Sequence, residues 1–350
     1  MSKKPKIFQG LHNIAGAPTM FAKGLRASGY DATSVCYGTG SFDFPVDIPL
    51  KNDSDAQRKQ QGKKLFLQAL RDYDLFHFHF GESLLGANLK DVKWLKLFGK
   101  KVFFHFHGCD LRDSKVMHSY PYSGCLNCWP VACSANRDHA VNIARKYADG
   151  IFVSTPDLIE FMPEAELVLQ PMDPIYLQDI VKKAPDLVWP TPSKPIRIFH
   201  APSHRQMKGT SYLIEAVKQL KKKYKITLEI AEGIPNAEIL KKFGKAHIVV
   251  DQLLAGSYGT FTAEAMASAR PVITYVREDL FSKYPKKPPI LSAHIDNITE
   301  VLESAIKNKT KTLKMAKAGQ KYVLKHHSAT AITNQLITAY GLDNASFDDN

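Results

Sequence analysis

Short apolar runs alternate with amphipathic stretches along this chain, and the series occurs twice. In the first half, strand-like runs at residues 6–9, 34–37, 75–80, 101–106 and 150–154 are separated by helical periodicity at 60–71, 89–98 and 137–147. The second series has strands at 196–201, 226–231, 247–252 and 271–276, and helices at 212–224, 236–243 and 262–269. Strands that alternate with helices form βαβ crossovers and a parallel sheet covered on both faces. The predicted fold class is therefore α/β, with two Rossmann-like βαβ domains facing a central cleft.

The predicted domain boundaries follow from these two series. We expect an amino-terminal domain over residues 1–180, a stiff proline-rich linker over 181–195 and a second domain over 196–320. Thr155, Pro156 and Asp157 predict a helix start. Residues 314–340 predict one long amphipathic stretch, whose last part, about 322–341, is expected to pack back on the first domain. The tail 343–350 is predicted to be disordered.

The chain is basic, with a formal net charge of +13 at pH 7. Two interpretations stay open, which are a solvated basic surface and attraction to an anionic membrane face or an acidic substrate. Nucleic acid is not an expected partner, because no recognised binding module and no interleaved aromatic residues accompany the charge. The sequence lacks a long apolar run and a signal-peptide pattern, so we expect a cytoplasmic protein, with a peripheral position at the inner membrane face as the alternative.

A basic turn follows the first strand of the second series. Residues 203–209 read SHRQMKG and lie between a strand and a helix, which predicts Arg205 and Lys208 at the carboxyl end of a strand. A guanidinium holds phosphate oxygens as a bidentate fork, and an ammonium acts as a point charge. For this turn alone, phosphate binding and an ordinary basic loop both remain open.

A glycine loop opens the third helix of the second series. Gly256, Tyr258, Gly259 and Thr260 lie before or at the start of this helix, where backbone N–H groups and the positive end of the helix dipole can hold a phosphate. Glu264 follows within about one turn. A carboxylate there can accept hydrogen bonds from both hydroxyls of a ribose, and a glutamate that only favours the helix dipole is the alternative.

These elements, in this order, resemble the donor domain of retaining glycosyltransferase family 4, whose fold is GT-B. The matching motifs are S-x-R-x-x-K-G, a strand that runs into Asp251, G-x-Y-G-x-x-x-x-E-A-M-A and x-P-V-I. The resemblance implies that Arg205 and Lys208 bind the donor diphosphate and that Glu264 binds the ribose. It also implies transfer of a hexose or N-acetylhexosamine, with retention, from a nucleotide-sugar donor, most simply a UDP-sugar, to a glycan, lipid-linked or protein acceptor. No catalytic metal is then required, because the cations and the helix terminus neutralise the leaving group.

One position departs from the family pattern. The family has two glutamates separated by seven residues, and the position of the first glutamate is Gly256 in this chain. Asp251 and the backbone N–H groups of residues 256–259 are candidate substitutes. The departure keeps open a second function, that of a catalytically silent subunit that binds a nucleotide sugar.

The amino-terminal half resembles the family's acceptor domain more loosely. Gly16 matches the glycine loop that approaches the donor phosphates and the acceptor. Strand alternation places His105 and His107 on one face, and His107, nearest the following loop, is the predicted site histidine in contact with the donor sugar. His77 and His79 alternate in the same way, so strand histidines that are partly buried remain the alternative for all four.

A cluster of cysteines follows this strand. Cys109, Cys125, Cys128 and Cys133 include a C-x2-C pair, a spacing compatible with a structural zinc site that would hold the loop beside His107. Plain buried thiols and an iron–sulfur or redox role are the alternatives. A disulfide framework is not expected in a reducing compartment.

Overall fold

The chain divides into two compact units, and each is described by itself. The computed structural model describes residues 4–38, 44–51, 55–128, 136–172 and 174–343. One unit contains Met1–Arg112, Cys133–Asp173 and Ser328–Asn350, and the other contains Asp113–Ala132 and Pro174–His327. We call them the first and the second unit. Residues 344–350 of the tail predicted to be disordered lie outside the described residues.

All the strands that the described residues form lie in parallel sheets, as the alternating pattern predicts. In chain order they are β1 (Lys6–Leu11), β2 (Asp31–Tyr37), β3 (Ile48–Leu50), β4 (Leu75–His79), β5 (Lys101–Phe106), β6 (Gly150–Val153), β7 (Glu166–Leu167), β8 (Ile196–His200), β9 (Ile226–Ile230), β10 (Ile248–Val250) and β11 (Val272–Ile273). The first unit has a seven-stranded sheet in the order β3-β2-β1-β4-β5-β6-β7, and the second has a four-stranded sheet in the order β11-β10-β8-β9. Every pairing between these strands is parallel.

Helices follow most of the strands, and the last three helices follow the final strand β11. In chain order they are α1 (Ala17–Ala27), α2 (Asp55–Asp72), α3 (Lys90–Leu97), α4 (Ser114–Met117), α5 (Arg137–Tyr147), α6 (Pro174–Lys183), α7 (Arg205–Lys208), α8 (Thr210–Leu220), α9 (Asn236–Phe243), α10 (Thr260–Ala267), α11 (Ile298–Lys307), α12 (Lys309–His326) and α13 (Ala329–Ala339). Across the described ranges, none of these helices combines the length and the apolar composition that a bilayer span needs.

The two faces of the central strands in the first unit carry different side chains. Phe76 and Phe78 of β4 and Phe104 and Phe106 of β5 belong to an apolar core that also includes residues of α3 and α5. The intervening positions of both strands place histidines on the opposite face, where Phe21 of α1 contacts three of their rings. The H-F-H-F pattern therefore follows from the two-residue period of a strand that is buried on both sides.

Two segments differ from the helices that the sequence predicts. Residues Pro156–Glu160 form a 3-10 turn, although Thr155 and Pro156 predict an α-helix start. The long carboxy-terminal stretch is two helices, because the side chain of Ser328 accepts a hydrogen bond from the N–H of Ala331 and starts α13 anew. Helix α12 belongs to the second unit, and α13 packs on α1 in the first unit.

The proline-rich segment at 184–195 contains no regular helix or strand. Within the second unit, the carbonyl of Pro185 accepts a hydrogen bond of 2.8 Å from the buried guanidinium of Arg270. Trp189 packs against the core formed by the strands of this unit and by α8 and α11. The longer segment of the second unit begins at Pro174, whereas the predicted linker begins at residue 181.

Candidate functional site

The turn after β8 carries the two predicted phosphate-binding cations. His204 caps α7, because its Nδ1 accepts a hydrogen bond from the N–H of Met207, and Gly209 ends the helix in the left-handed conformation. Arg205 lies at the start of α7 with its side chain about half exposed, and its guanidinium contacts Glu232 at 2.6 Å. The hydrogen bond from Arg205 lowers the pKa of Glu232. An exposed ion pair of this kind contributes little to stability, which leaves Arg205 able to exchange its partner.

Lys208 is held more firmly than Arg205. Its ammonium donates hydrogen bonds to Asp251 at 2.9 Å and to Gln252 at 2.8 Å, both directly after β10. Asp251 is buried, and its second carboxylate oxygen accepts a hydrogen bond of 2.7 Å from the hydroxyl of Thr262 in α10. Since β8 and β10 are parallel neighbours, their carboxyl ends meet at one edge of the sheet, where a ligand is expected in an open α/β sheet.

The glycine loop before α10 combines one constrained and one open glycine. Gly256 has φ of +74°, and a Cβ built there would lie 3.2 Å from the side chain of Arg277. Gly259, at the amino terminus of α10, has nothing within 4 Å of such a Cβ. No side chain among the described residues caps α10 at this end, so its first N–H groups, from Thr260 on, are oriented as an anion site requires.

Tyr258 lies inside the second unit. Its ring stacks on Tyr284 with centroids 4.8 Å apart, and its hydroxyl contacts Nε2 of His327 at 2.9 Å and the hydroxyl of Tyr322 at 3.2 Å. Burial raises the pKa of Tyr258 well above 10. These contacts assign the side chain of Tyr258 to the packing of the loop onto α12, and a ligand contact by this residue remains a prediction.

Glu264, the predicted ribose ligand, is buried in α10. Its Oε1 accepts hydrogen bonds from the hydroxyl of Tyr176 at 2.5 Å and from the amide of Asn236 at 3.0 Å. Burial raises the pKa of Glu264 to about 7, and the nearby charge of Asp251 acts in the same direction. Both hydrogen bonds reach the same carboxylate oxygen, Oε1.

Gly16 and His107 lie in the first unit. Gly16 precedes α1 with φ of +78°, its N–H donates to the side chain of Asn13, and a Cβ there would lie 2.9 Å from Phe44. His107 follows β5 directly, and its N–H donates to the buried carboxylate of Asp110 at 3.0 Å. Burial raises the pKa of Asp110 to about 6 and lowers that of His107 to about 3, so the His107 ring is neutral at physiological pH.

Comparisons with known proteins identify the fold. No protein-family model and no curated protein matches the sequence. Solved structures match along nearly the whole chain: sucrose-phosphate synthase of Thermosynechococcus elongatus has a TM-score of 0.65 at 12% identity, over 97% of this chain and 98% of that one. The Anabaena protein HepE, solved in complex with UDP and glucose, has a TM-score of 0.62 at 12% identity, over 97% and 100% of the two chains. A glycosyltransferase of Rickettsia africae has a TM-score of 0.60 at 14% identity, over 98% and 100%. The chain has the GT-B fold.

The GT-B fold places the predicted donor residues in one unit. Arg205, Lys208 and Glu264 all belong to the second unit, and Asp251 contacts Lys208 directly and influences Glu264 electrostatically. Sequence reasoning missed the partners of Glu264, since Tyr176 lies 88 residues away in α6 and no motif marks it. It also missed Gln252 as the second partner of Lys208.

The cysteine cluster is divided between the units of this GT-B chain. Cys109 belongs to the first unit, Cys125 and Cys128 belong to the second, and Cys133 lies outside the described residues. Within the second unit, the N–H of Gly124 donates to the carbonyl of Leu254 at 2.7 Å, which places the segment with Cys125 next to the glycine loop. The zinc site stays a prediction.

A different group has the geometry to hold a cation. His77, His79 and His105, all in the described part of the first unit, each offer one ligand atom within 4.8 Å of the others. Both ring nitrogens of His79 already have hydrogen-bond partners, and Nδ1 of His77 has one as well. A cation coordinated by all three residues would therefore displace a hydrogen bond of His79.

Proposed function

We propose that the chain transfers a sugar from a nucleotide-diphosphate donor to an acceptor, with retention, and that the donor is a UDP-sugar. The observation that carries the proposal is the arrangement at the carboxyl edge of the second sheet. Lys208 is fixed by Asp251 there, next to an α10 amino terminus that no described side chain caps. The whole-chain similarity to HepE, solved with UDP-glucose and with UDP, supports the choice of donor.

The chain's own residues would act by neutralising charge and by holding the sugar in place. Departure of UDP develops negative charge on the diphosphate, which Lys208, Arg205 and the first N–H groups of α10 would stabilise. Because its present ion pair with Glu232 is exposed, Arg205 would exchange that partner for a bidentate contact with a phosphate. Glu264 would accept the ribose hydroxyls. These groups supply the positive charge without a metal, so we expect transfer to survive chelation of divalent cations by EDTA.

Binding of the donor can be measured by titrating the protein with UDP and with UDP-glucose. Lys208→Ala removes a charged hydrogen bond, for which about 1.5–3 kcal/mol, or roughly 10- to 100-fold in Kd, is expected. Glu264→Ala is expected to weaken binding through the ribose. Lys222→Ala, an exposed lysine of the same unit, is the matched control and should leave Kd unchanged. If neither Lys208→Ala nor Glu264→Ala changes the affinity, the donor-site assignment is wrong.

A second function is favoured by Gly256. The family's first glutamate has no counterpart there, and the left-handed backbone at this glycine disfavours any side chain. The chain would then bind a nucleotide sugar without turning it over. Donor hydrolysis and transfer measured with a panel of labelled sugar nucleotides and of glycan, lipid-linked and protein acceptors separate the two functions. Tight UDP binding without turnover under any condition supports the silent subunit.

A further inference from the structure

A chain of hydrogen bonds runs from His107 through the interior of the first unit. Nε2 of His107 lies 2.9 Å from Nδ1 of His79, and Nε2 of His79 lies 3.0 Å from Oε1 of Gln9. The amide nitrogen of Gln9 lies 3.1 Å from the hydroxyl of Tyr340, which lies 2.6 Å from Nδ1 of His77. His107 is the partly exposed end of the chain, and the other four side chains are buried.

The bond lengths give this chain a direction. Bonds donated by O–H are typically about 0.2 Å shorter than bonds donated by N–H. The 2.6 Å contact between Tyr340 and His77 has the length of a bond that the hydroxyl donates, whereas the 3.1 Å contact between the amide of Gln9 and Tyr340 has the length of a bond that an N–H donates. Tyr340 therefore donates to His77, and its oxygen accepts from the amide of Gln9. The carbonyl of Gln9 then faces His79 as an acceptor.

The tautomers follow from that direction. Because Oε1 of Gln9 can only accept, Nε2 of His79 carries the hydrogen. Burial lowers the pKa of His79 well below 6.5, so its ring is neutral and Nδ1 is an acceptor. His107 must then donate from Nε2 to His79. We infer that Gln9 and Tyr340, acting through His79, hold His107 in the tautomer with a hydrogen on Nε2 and a lone pair on Nδ1.

The fixed tautomer specifies what His107 can recognise. A neutral ring with its Nδ1 lone pair available accepts a hydrogen bond, and the hydroxyl groups of a sugar can donate one. This inference rests on the proposed function, in which His107 contacts the transferred sugar. Gln9 and Tyr340 are positioning residues, because their effect on the sugar passes through His79 and His107. Reversing the Gln9 amide would reverse every bond of the chain and would place the hydrogen of His107 on Nδ1 instead.

The tautomer can be measured without any substrate. Ring 15N shifts of histidine-labelled protein, recorded by magic-angle-spinning NMR, distinguish protonated from unprotonated nitrogens, and loss of a signal in His107→Gln identifies that residue. We expect wild-type His107 to show Nε2 protonated and Nδ1 unprotonated. Gln9→Met and Tyr340→Phe each interrupt the chain and should give a mixture of both tautomers. Tyr147→Phe, a partly buried tyrosine of the same unit outside this chain, should leave the spectrum unchanged.

Three results of that measurement overturn the inference. One is a wild-type His107 that is protonated on Nδ1. Another is a ring 15N spectrum of His107 that neither Gln9→Met nor Tyr340→Phe changes. The third is metal bound stoichiometrically by the purified protein, with the signals of His77, His79 and His105 shifted on its removal, which would assign the cluster to a cation.

A double-mutant cycle tests the consequence for catalysis. With UDP-glucose as donor, we expect Gln9→Met to lower kcat/KM by about tenfold in the wild type and to have no further effect in His107→Ala. An equal loss in both backgrounds would show that Gln9 acts on the fold and not through His107, and would overturn the positioning role. If the wild type turns over no donor, the proposed function fails, and the ring spectra still decide the hydrogen-bond chain.

Discussion

We expect Glu264 to couple the stability of the second unit to pH. Its carboxyl group is buried, and it is bonded to Tyr176 and Asn236 with no cation among its described contacts. Burial raises its pKa from 4.5 to about 7 in the folded chain. We expect Glu264→Gln, which keeps the shape and removes the ionisable proton, to abolish this contribution to the pH dependence of unfolding.

The sign follows from which state holds the proton. Between pH 4.5 and about 7 the folded chain keeps a proton on Glu264 that the unfolded chain has released. The stabilising contribution is therefore complete below pH 4.5, falls as the pH rises towards 7 and is lost above that value. At about 1.4 kcal/mol per pKa unit, the difference amounts to about 3 kcal/mol. The free energy of unfolding of Glu264→Gln, relative to the wild type, should rise by about this amount between pH 4.5 and 7.5.

Urea denaturation at closely spaced pH values measures the difference. Trp189 packs against the core of the second unit, so replacing Trp94 and Trp129 by phenylalanine in both proteins makes the fluorescence report that unit. Taking the difference between the two proteins cancels other titrating groups, among them Asp110 in the first unit, whose pKa is also raised. A difference that stays constant across this range would refute the buried, neutral Glu264.

Three further changes in the glycine loop separate the effects of its backbone from those of its side chains. Gly256→Glu, which restores the family's glutamate, should destabilise the fold by about 1–2 kcal/mol, because φ is +74° and Arg277 lies close. Gly259→Ala is the control, because a Cβ at Gly259 meets no atom within 4 Å, and it should leave the urea midpoint nearly unchanged. Equal midpoints for the two variants would contradict the backbone constraint at Gly256. Tyr258→Phe leaves the buried Nε2 of His327 without this partner and should lower the free energy of unfolding by about 1–3 kcal/mol. A thermal melt with an unchanged midpoint would show that the hydroxyl contributes nothing.

The regular elements were predictable where the apolar pattern was long or strongly periodic. Strand β5 and helix α9 have the predicted limits. In each case, the flanking residues interrupt the periodic spacing of apolar side chains. Strand β3 is three residues long, too short for an alternation to be visible. The break between α12 and α13 depends on one serine cap within a continuous amphipathic stretch, and periodicity alone does not detect such a cap.

Only the residues of the candidate site that belong to local sequence motifs were predictable. The motif around Lys208 and the glycine loop predicts residues that act through their position at helix and strand ends. The partners that set their chemistry come from distant positions, as in the contact of Gln9 with Tyr340 across 331 residues. A single sequence does not indicate which distant polar residues will meet in a core, because their choice depends on how the elements pack.

The sequence motif assigns Arg205 and Lys208 to the same diphosphate, and the structure distinguishes the two cations by the residues that hold each one. Asp251 is 2% exposed, so moving Lys208 away would leave a buried carboxylate without its counter-ion, at a cost of about 3–5 kcal/mol. Lys208 therefore stays in place whether or not a phosphate is bound, and its contribution to binding needs no rearrangement. Arg205 is 52% exposed and pairs with a glutamate that is 45% exposed. Its guanidinium is consequently the member of the pair that would change partner on arrival of the donor. A loss of affinity in a Lys208 variant accordingly combines a missing phosphate contact with an unpaired Asp251, whereas a loss in an Arg205 variant reports the phosphate contact alone.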